Sequence, residues 1–183
     1  MEKLPEKCVV DTNVPKIANW ALNHGPLPDG LDWSCVEACV TIVEHVVKRG
    51  GLVIDSMGEI FEEYCRGLSL KGQPGIGDKF VKWVHDNQWK LPSEDSVDIT
   101  KVDHSYKEFP KHKDLDAFDR SDRKFIAVAY KHPKRPPIIQ AADSKWWGYR
   151  KVLASCGITV RFVCEQYVVG KYEKKMAKRK VTK

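Results

Sequence analysis

The chain contains no apolar run long enough to cross a bilayer as a helix, so a helical membrane span is excluded. Its first residues, Met1-Glu2-Lys3-Leu4-Pro5-Glu6-Lys7, hold no apolar core of a secretory signal. The expected location is therefore cytoplasmic. None of the six cysteines (Cys8, Cys35, Cys39, Cys65, Cys156 and Cys164) belongs to a Cys-x-x-Cys pair. Cys35 and Cys39 stand one helical turn apart, but no histidine pair follows at zinc-ligand spacing, which argues against structural zinc. Most of the cysteines sit inside apolar patterns and are expected as buried free thiols. No internal repeat is evident. The glycine-rich stretch from Lys71 to Gly77 lacks the Gly-Lys-Ser/Thr sequence that cradles phosphates, and it reads as a plain loop.

What is present suits a folded enzyme-sized domain. The 183 residues are 42% hydrophobic and 31% charged, enough for one core and unlike a disordered chain. The net charge is +6, and much of it lies at the end, from Lys171 to Lys183. The expected organisation is one domain over residues 1–168 and a flexible basic tail over 169–183. Such a tail is either a solvated end or a weak phosphate-binding arm.

The stretch Lys7-Cys8-Val9-Val10-Asp11-Thr12-Asn13-Val14 organises the rest. Cys8 to Val10 is a short β-branched run that reads as a buried strand. It ends at Asp11, and Thr12 and Asn13 can cap a helix over Val14–Asn23 with Pro15 in its first turn. A carboxylate thus sits where a strand hands over to a helix, the edge at which open α/β sheets bind ligands. The simpler reading of Asp11 is a helix cap.

Further along, Asp32 or Ser34 caps a second helix with Val36, Cys39, Val40, Val43, Val46 and Val47 at helical spacing, stopped by Gly50-Gly51. Leu52 to Asp55 reads as a second strand. Ile60, Phe61, Tyr64 and Leu68 form the apolar stripe of the following helix; Glu59 and Glu63 share a face and Glu62 points elsewhere. Phe80, Val81 and Val84 suggest another helix, with Trp83 and Trp89 as core or rim aromatics. Ser96 to Val102 alternates like a strand, and His104 to Arg120 reads as a long loop of the kind often functional. Asp122 to Tyr130 is a helix capped by Ser121 or Asp122. Pro137 to Asp143 is a strand, Ser144 to Leu153 a helix closed at Gly157, and Ile158 to Val163 the last strand. This alternation predicts an α/β fold with a largely parallel sheet and right-handed crossovers.

Asp11 and Asp143 each end a strand, Glu59 or Glu63 lies in a helix after a strand, and Asp119 or Asp122 opens a helix after the long loop. In a parallel sheet all four places meet at one edge. Clustered carboxylates repel, and a divalent cation removes that penalty. All-oxygen donors favour Mg²⁺ or Mn²⁺, which makes water a better nucleophile and offsets charge on phosphorus. That is the chemistry of phosphodiester hydrolysis.

Four blocks of the chain resemble the PIN domain, a nuclease fold of toxin ribonucleases and RNA-processing enzymes. They are Val9-Val10-Asp11-Thr12-Asn13; Val53-Ile54-Asp55 with Ile60-Phe61-Glu62-Glu63-Tyr64; Ser121-Asp122-Arg123-Lys124-Phe125-Ile126-Ala127-Val128-Ala129; and Ile138-Ile139-Gln140-Ala141-Ala142-Asp143-Ser144-Lys145-Trp146. The resemblance spans roughly residues 7 to 165. It implies a three-layer α/β/α fold around a central parallel five-stranded sheet of order 3-2-1-4-5, with an acidic Mg or Mn site. Carried over by position, the catalytic and metal-binding acids are Asp11, Glu63, Asp122 and Asp143. Glu59 and Glu62 remain alternatives to Glu63, while Thr12, Asn13 and Glu59 are supporting residues. The second acid that the family often has two residues after the fourth is here Lys145, which weakens a second metal position.

The leading expectation is a metal-dependent endoribonuclease acting on single-stranded RNA. Arg66, Arg120, Arg123, Lys124 and Lys145 are candidate phosphate ligands, each with the plainer reading of a solvated charge. A structure-selective DNA nuclease and a catalytically silent PIN-like binding module are the competing readings. A haloacid-dehalogenase-like phosphatase is disfavoured because Thr12 and Asn13, with no second Asp, follow Asp11. A homodimer and an antitoxin-type protein partner are further expectations from the resemblance.

Overall fold

The computed structural model describes residues 4–22, 25–71 and 75–181. The Met1–Lys3 start, the expected helix end at Asn23 with His24 after it, the Gly72–Pro74 part of the glycine loop and Thr182–Lys183 lie outside the described residues. Strand β1 (Val9–Val10) forms from the first β-branched run, and both residues are fully buried. Helix α1 (Asn13–Ala18) follows and gives way to a 3-10 turn over Asn19–Leu22, so the α-helix is shorter than its pattern suggested. Thr12 precedes α1 without accepting a helix N–H; its hydroxyl donates to Glu63, and Asp11 Oδ1 accepts the Asn13 N–H instead.

Helix α2 (Trp33–Arg49) opens where Asp32 Oδ1 accepts the Cys35 N–H at 2.9 Å, satisfying one of the unpaired first-turn donors. Its buried stripe is Cys35, Val36, Cys39, Ile42, Val43 and Val46. It ends at Gly50, and Gly51 follows with φ +83°. A Cβ at Gly51 would lie 2.0 Å from the Glu6 carbonyl oxygen, so glycine is what lets this segment close on the chain before β1.

Strand β2 (Ile54–Asp55) ends in a buried carboxylate that accepts the N–H groups of Glu59 (2.7 Å) and Ile60 (2.8 Å). Asp55 thereby caps helix α3 (Glu59–Gly67). Helix α4 (Ile76–Asn87) packs Phe80, Val81 and Val84 inward. The expected strand over 96–102 divides into β3 (Ser96–Val97) and β4 (Lys101–Val102). β4 pairs antiparallel with β5 (Ser105–Tyr106), so part of the long loop is a hairpin. Helix α5 (Arg123–Lys131), strand β6 (Ile138–Gln140), helix α6 (Ser144–Ser155), strand β7 (Val160–Phe162) and helix α7 (Glu165–Val181) complete the order. Phe125, Ile126 and Val128 of α5 are fully buried, each contributing roughly 1.5–3 kcal/mol relative to exposure.

The expected central parallel five-stranded sheet is not found. β1, β6 and β7 form a three-stranded parallel sheet in the order β1-β6-β7, while β2 and β3 form a separate two-stranded parallel sheet. A lone parallel bridge, Cys8 to Leu52, lies between them. There Cys8 N–H donates to Gly51 O and Val53 N–H donates to Cys8 O, both at 2.9 Å. The next acceptor on that side of β1, Val10 O, is instead met by the Tyr64 hydroxyl at 2.6 Å, while Ile54 N–H faces the other way and donates to Asp95 O on the β3 side at 3.0 Å. With Val10 O occupied by a side chain, the Cys8–Leu52 bridge does not extend into a ladder. What stands is an α/β chain with small sheets, parallel where β1, β2, β3, β6 and β7 pair.

The segment expected as a flexible basic tail is helical in α7, and it rests on α6. A Cβ on Gly148 would stand 3.0 Å from the Tyr172 ring, so the bare Gly148 backbone admits that ring. The thiol expectation also divides. Cys35 and Cys164 form a disulfide, Cys8 and Cys39 are buried thiols, Cys65 is exposed and Cys156 half-buried. Burial pushes the Cys8 and Cys39 thiols up to about 12, so neither is a nucleophile at neutral pH. Trp83 packs at the edge of the core, but Trp89 is 82% exposed, beyond any rim position. Among the described residues no helix is long and apolar enough to cross a membrane.

Candidate acidic site

β1 and β6 lie side by side and parallel, so the residues that leave them leave at the same edge. The Asp11 N–H donates to Ile139 O at 2.9 Å, which places Asp11 directly beside the end of β6. Asp143 follows three residues after Gln140 and caps α6, its Oδ1 accepting the Lys145 N–H at 2.8 Å. Helix α3 is held to this edge by Tyr64, a fully buried residue whose hydroxyl donates to Val10 O at 2.6 Å. Glu63 precedes that anchor and accepts the Thr12 hydroxyl at 2.7 Å. Asp122 enters from the start of α5 and accepts the indole N–H of buried Trp146 at 3.0 Å. Trp146 is itself fixed edge-on against Phe118, with ring centroids 5.0 Å apart.

The electrostatics show that these acids feel one another. Burial, then the charge of Asp122, and to a smaller extent Glu63, push the Asp11 carboxyl up to about 8; the Asn13 N–H, 2.9 Å from Oδ1, opposes them. Burial and then Asp119, with smaller contributions from Asp143 and Glu63, push Asp122 up to about 6 against the Trp146 hydrogen bond. A metal-free site therefore holds protons near neutral pH that isolated carboxylates would have lost.

The alternatives separate by their partners. Glu59 accepts Tyr106 Oη at 3.0 Å and pairs with Lys101 at 3.1 Å; burial raises its pKa, but those two contacts outweigh it and hold it low. Glu62 is exposed on the far side of α3, 3.6 Å from Arg66. Glu63 is the glutamate that reaches Thr12. Asp119 accepts the Lys145 ammonium at 2.6 Å and the Ser121 hydroxyl at 2.9 Å, and the Lys145 contact chiefly holds its pKa down.

The candidate phosphate ligands are placed unevenly. Lys124 is buried, ion-paired with Glu63 and donating to Ser121 O, so its charge belongs to the acidic site rather than to solvent. Arg123 donates to the carbonyls of Asp116 (2.7 Å) and Phe118 (3.2 Å) and lies 4.9 Å over the Phe109 ring, which makes it a brace for the loop. Arg66 pairs with Glu62 and Lys145 with Asp119. Arg120 lines a concavity of about 830 Å³ beside the β4–β5 hairpin, together with Lys107 and Lys111. Sequence patterns did not single out Trp146 as the donor to Asp122, nor Lys175, whose ammonium reaches Ser144 Oγ at 2.9 Å, one residue from Asp143. Nothing in the spacing of either residue signals that approach.

Among the described residues, no three of these carboxylates bring oxygens within 4.8 Å of one another; the group that meets that distance is Cys35, Cys39 and Cys164, two of which are already bonded to each other. The acids therefore share an edge and a field without forming a closed cage. No family model, curated protein or solved structure matches this chain.

Proposed function

We propose that the chain is a PIN-like, metal-dependent endoribonuclease that hydrolyses phosphodiester bonds of single-stranded RNA. The observation that carries this reading is that Asp11 and Asp122, entering from separate elements, lie buried close enough to each other and to Glu63, with Asp143 beside Asp122, for those charges to push both carboxyls up. A protein that kept these residues only as caps would not bury Asp11 against two like charges at a cost of folding energy. The donor chemistry fits Mg²⁺ or Mn²⁺, since every candidate ligand is a carboxylate oxygen. Asp11, Glu63, Asp122 and Asp143 would hold the ion. Bound there, it supplies an acidified water nucleophile and charge neutralisation at phosphorus.

The chain's own groups prepare the site. Thr12 aims Glu63, Trp146 orients Asp122, and the Asn13 N–H fixes one Asp11 oxygen. Lys124 neutralises Glu63 and must release it for Glu63 to join the ion. That same ion pair is the one observation favouring a catalytically silent module, in which Lys124 permanently replaces the metal charge.

The deciding experiment is cleavage of matched RNA and DNA oligomers with Mn²⁺, alongside calorimetric Mn²⁺ titration of wild type and Asp11→Asn. The nuclease reading expects RNA cleavage and saturable Mn²⁺ binding, both lost in Asp11→Asn with the fold retained. Absence of saturable binding in the wild type rejects it in favour of the silent module. Preference for the DNA oligomer replaces the substrate.

A further inference from the structure

A cleft of about 390 Å³ opens directly off the acidic edge, between α6 and the basic helix α7. Asp119 and Asp122 line it together with Lys145, Lys175, Arg179 and the rings of Tyr149 and Tyr172. Its size falls in the roughly 300–1,000 Å³ range of pockets that hold a small organic ligand. Two features build it. Gly148 lets the Tyr172 ring close on α6, and Lys175 is held at Ser144, beside Asp143, by a 2.9 Å hydrogen bond.

Resting on the nuclease reading above, the geometry points to this cleft as the seat of one nucleotide of the RNA strand, next to the bond that is cut. The charge arrangement favours that occupant. Lys145 is paired with Asp119, while Lys175 and Arg179 add positive charge to the lining beside the acidic site, an arrangement that suits a phosphodiester. Tyr149 and Tyr172 offer faces on which a base of any identity stacks, which suits single-stranded nucleic acid and requires no sequence readout. Lys175 and Arg179 stand four residues apart on α7 and so share a helical face, giving two adjacent phosphates a cation each. The C-terminal helix is on this account a substrate-binding element, and a protein partner seated on it would compete with RNA.

The test measures binding apart from cleavage. Fluorescence anisotropy of a 5′-fluorescein 12-nucleotide oligouridylate is followed in an Asp11→Asn background, with and without Lys175→Glu plus Arg179→Glu. Both residues are exposed although they line the cleft, and far-UV circular dichroism checks that the helix persists. The expected result is a tenfold or greater rise in Kd, with the slope of log K against log salt reduced by about 1.4, since each single-strand phosphate contact contributes about 0.7. Tyr172→Ala is expected to raise Kd roughly tenfold at unchanged salt slope, the signature of lost stacking. An unchanged Kd and slope in the charge-reversed protein overturns the inference. Mn²⁺-dependent cleavage by the wild type is scored separately. Cleavage that survives charge reversal at equal KM rejects the cleft alone, and RNA binding through α7 by a wild type that never cleaves rejects the hydrolytic reading while keeping the cleft.

Discussion

Asp11→Asn is expected to separate the stability of the fold from the metal chemistry proposed for it. Asp11 is 2% exposed, and its carboxyl is pushed from an ordinary 3.8 up to about 8 by burial and by its acidic neighbours. The folded state thus keeps a proton that the unfolded chain has released between about pH 4 and pH 8. More protons bound in the folded state means that stability falls as pH rises through that window, by about 1.4 kcal/mol per pH unit for this group. At pH 7 the full penalty is about 4 kcal/mol, large against a total of roughly 5–15 kcal/mol for a domain. Asparagine carries no charge to neutralise and its Oδ1 can still accept the Asn13 N–H. In EDTA, Asp11→Asn is therefore expected to be about 2–4 kcal/mol more stable than wild type at pH 7.5, with the difference nearly gone at pH 4. Urea midpoints at several pH values measure it. On the proposed metal reading, saturating Mn²⁺ should reverse the ranking by stabilising the wild type alone. A variant that is less stable in EDTA at pH 7.5, or whose difference does not change with pH, refutes the argument that Asp11 is a charge buried at the expense of the fold.

Thr12→Val removes the hydroxyl that aims Glu63 and is expected to weaken Mn²⁺ binding about tenfold by calorimetry, with a stability change within roughly 1 kcal/mol. Asp95→Ala should cost about 3 kcal/mol in urea denaturation, since buried Asp95 accepts both Lys7 (2.7 Å) and His132 (3.1 Å), and His132 is fully enclosed. Gly77→Ala is expected to destabilise by about 1–3 kcal/mol, because its Cβ would lie 1.9 Å from the Pro15 carbonyl oxygen where α1 meets α4. Gly170→Ala, with nothing within 4 Å of the new methyl, should instead stabilise the fold by the roughly 0.5–1 kcal/mol that alanine gains over glycine inside a helix, read in a urea denaturation.

Much of the element order was legible in the chain itself. The Cys8–Val10 run, the Asp32 cap, the Gly50-Gly51 stop and the apolar α5 stripe are signals within four residues of one another, and local backbone preference acts over that distance. Asp11 at a strand end and Asp143 at another are visible for the same reason. The glutamate was not separable by pattern alone. Glu59 and Glu63 share a helix face, and only the reach of Tyr106 and Lys101 to one, and of Thr12 to the other, tells them apart.

Tertiary contacts decided the rest. Lys124 and Arg123 read identically as basic residues at a helix start, yet one is buried on Glu63 and the other braces loop carbonyls. The Cys35–Cys164 disulfide joins residues 129 positions apart, a distance over which spacing carries no signal. The basic C-terminal segment packs as a helix on α6, where a bare glycine admits Tyr172, and the five expected strands divide into two small parallel sheets where the Tyr64 hydroxyl takes the Val10 carbonyl between them. Sequence by itself determined the order of most helices and strands up to α6 and β7, since capping and periodicity are local. Which faces meet, which charges pair and which thiols join were settled only in the folded chain, because those energies depend on distance in space and not along the backbone.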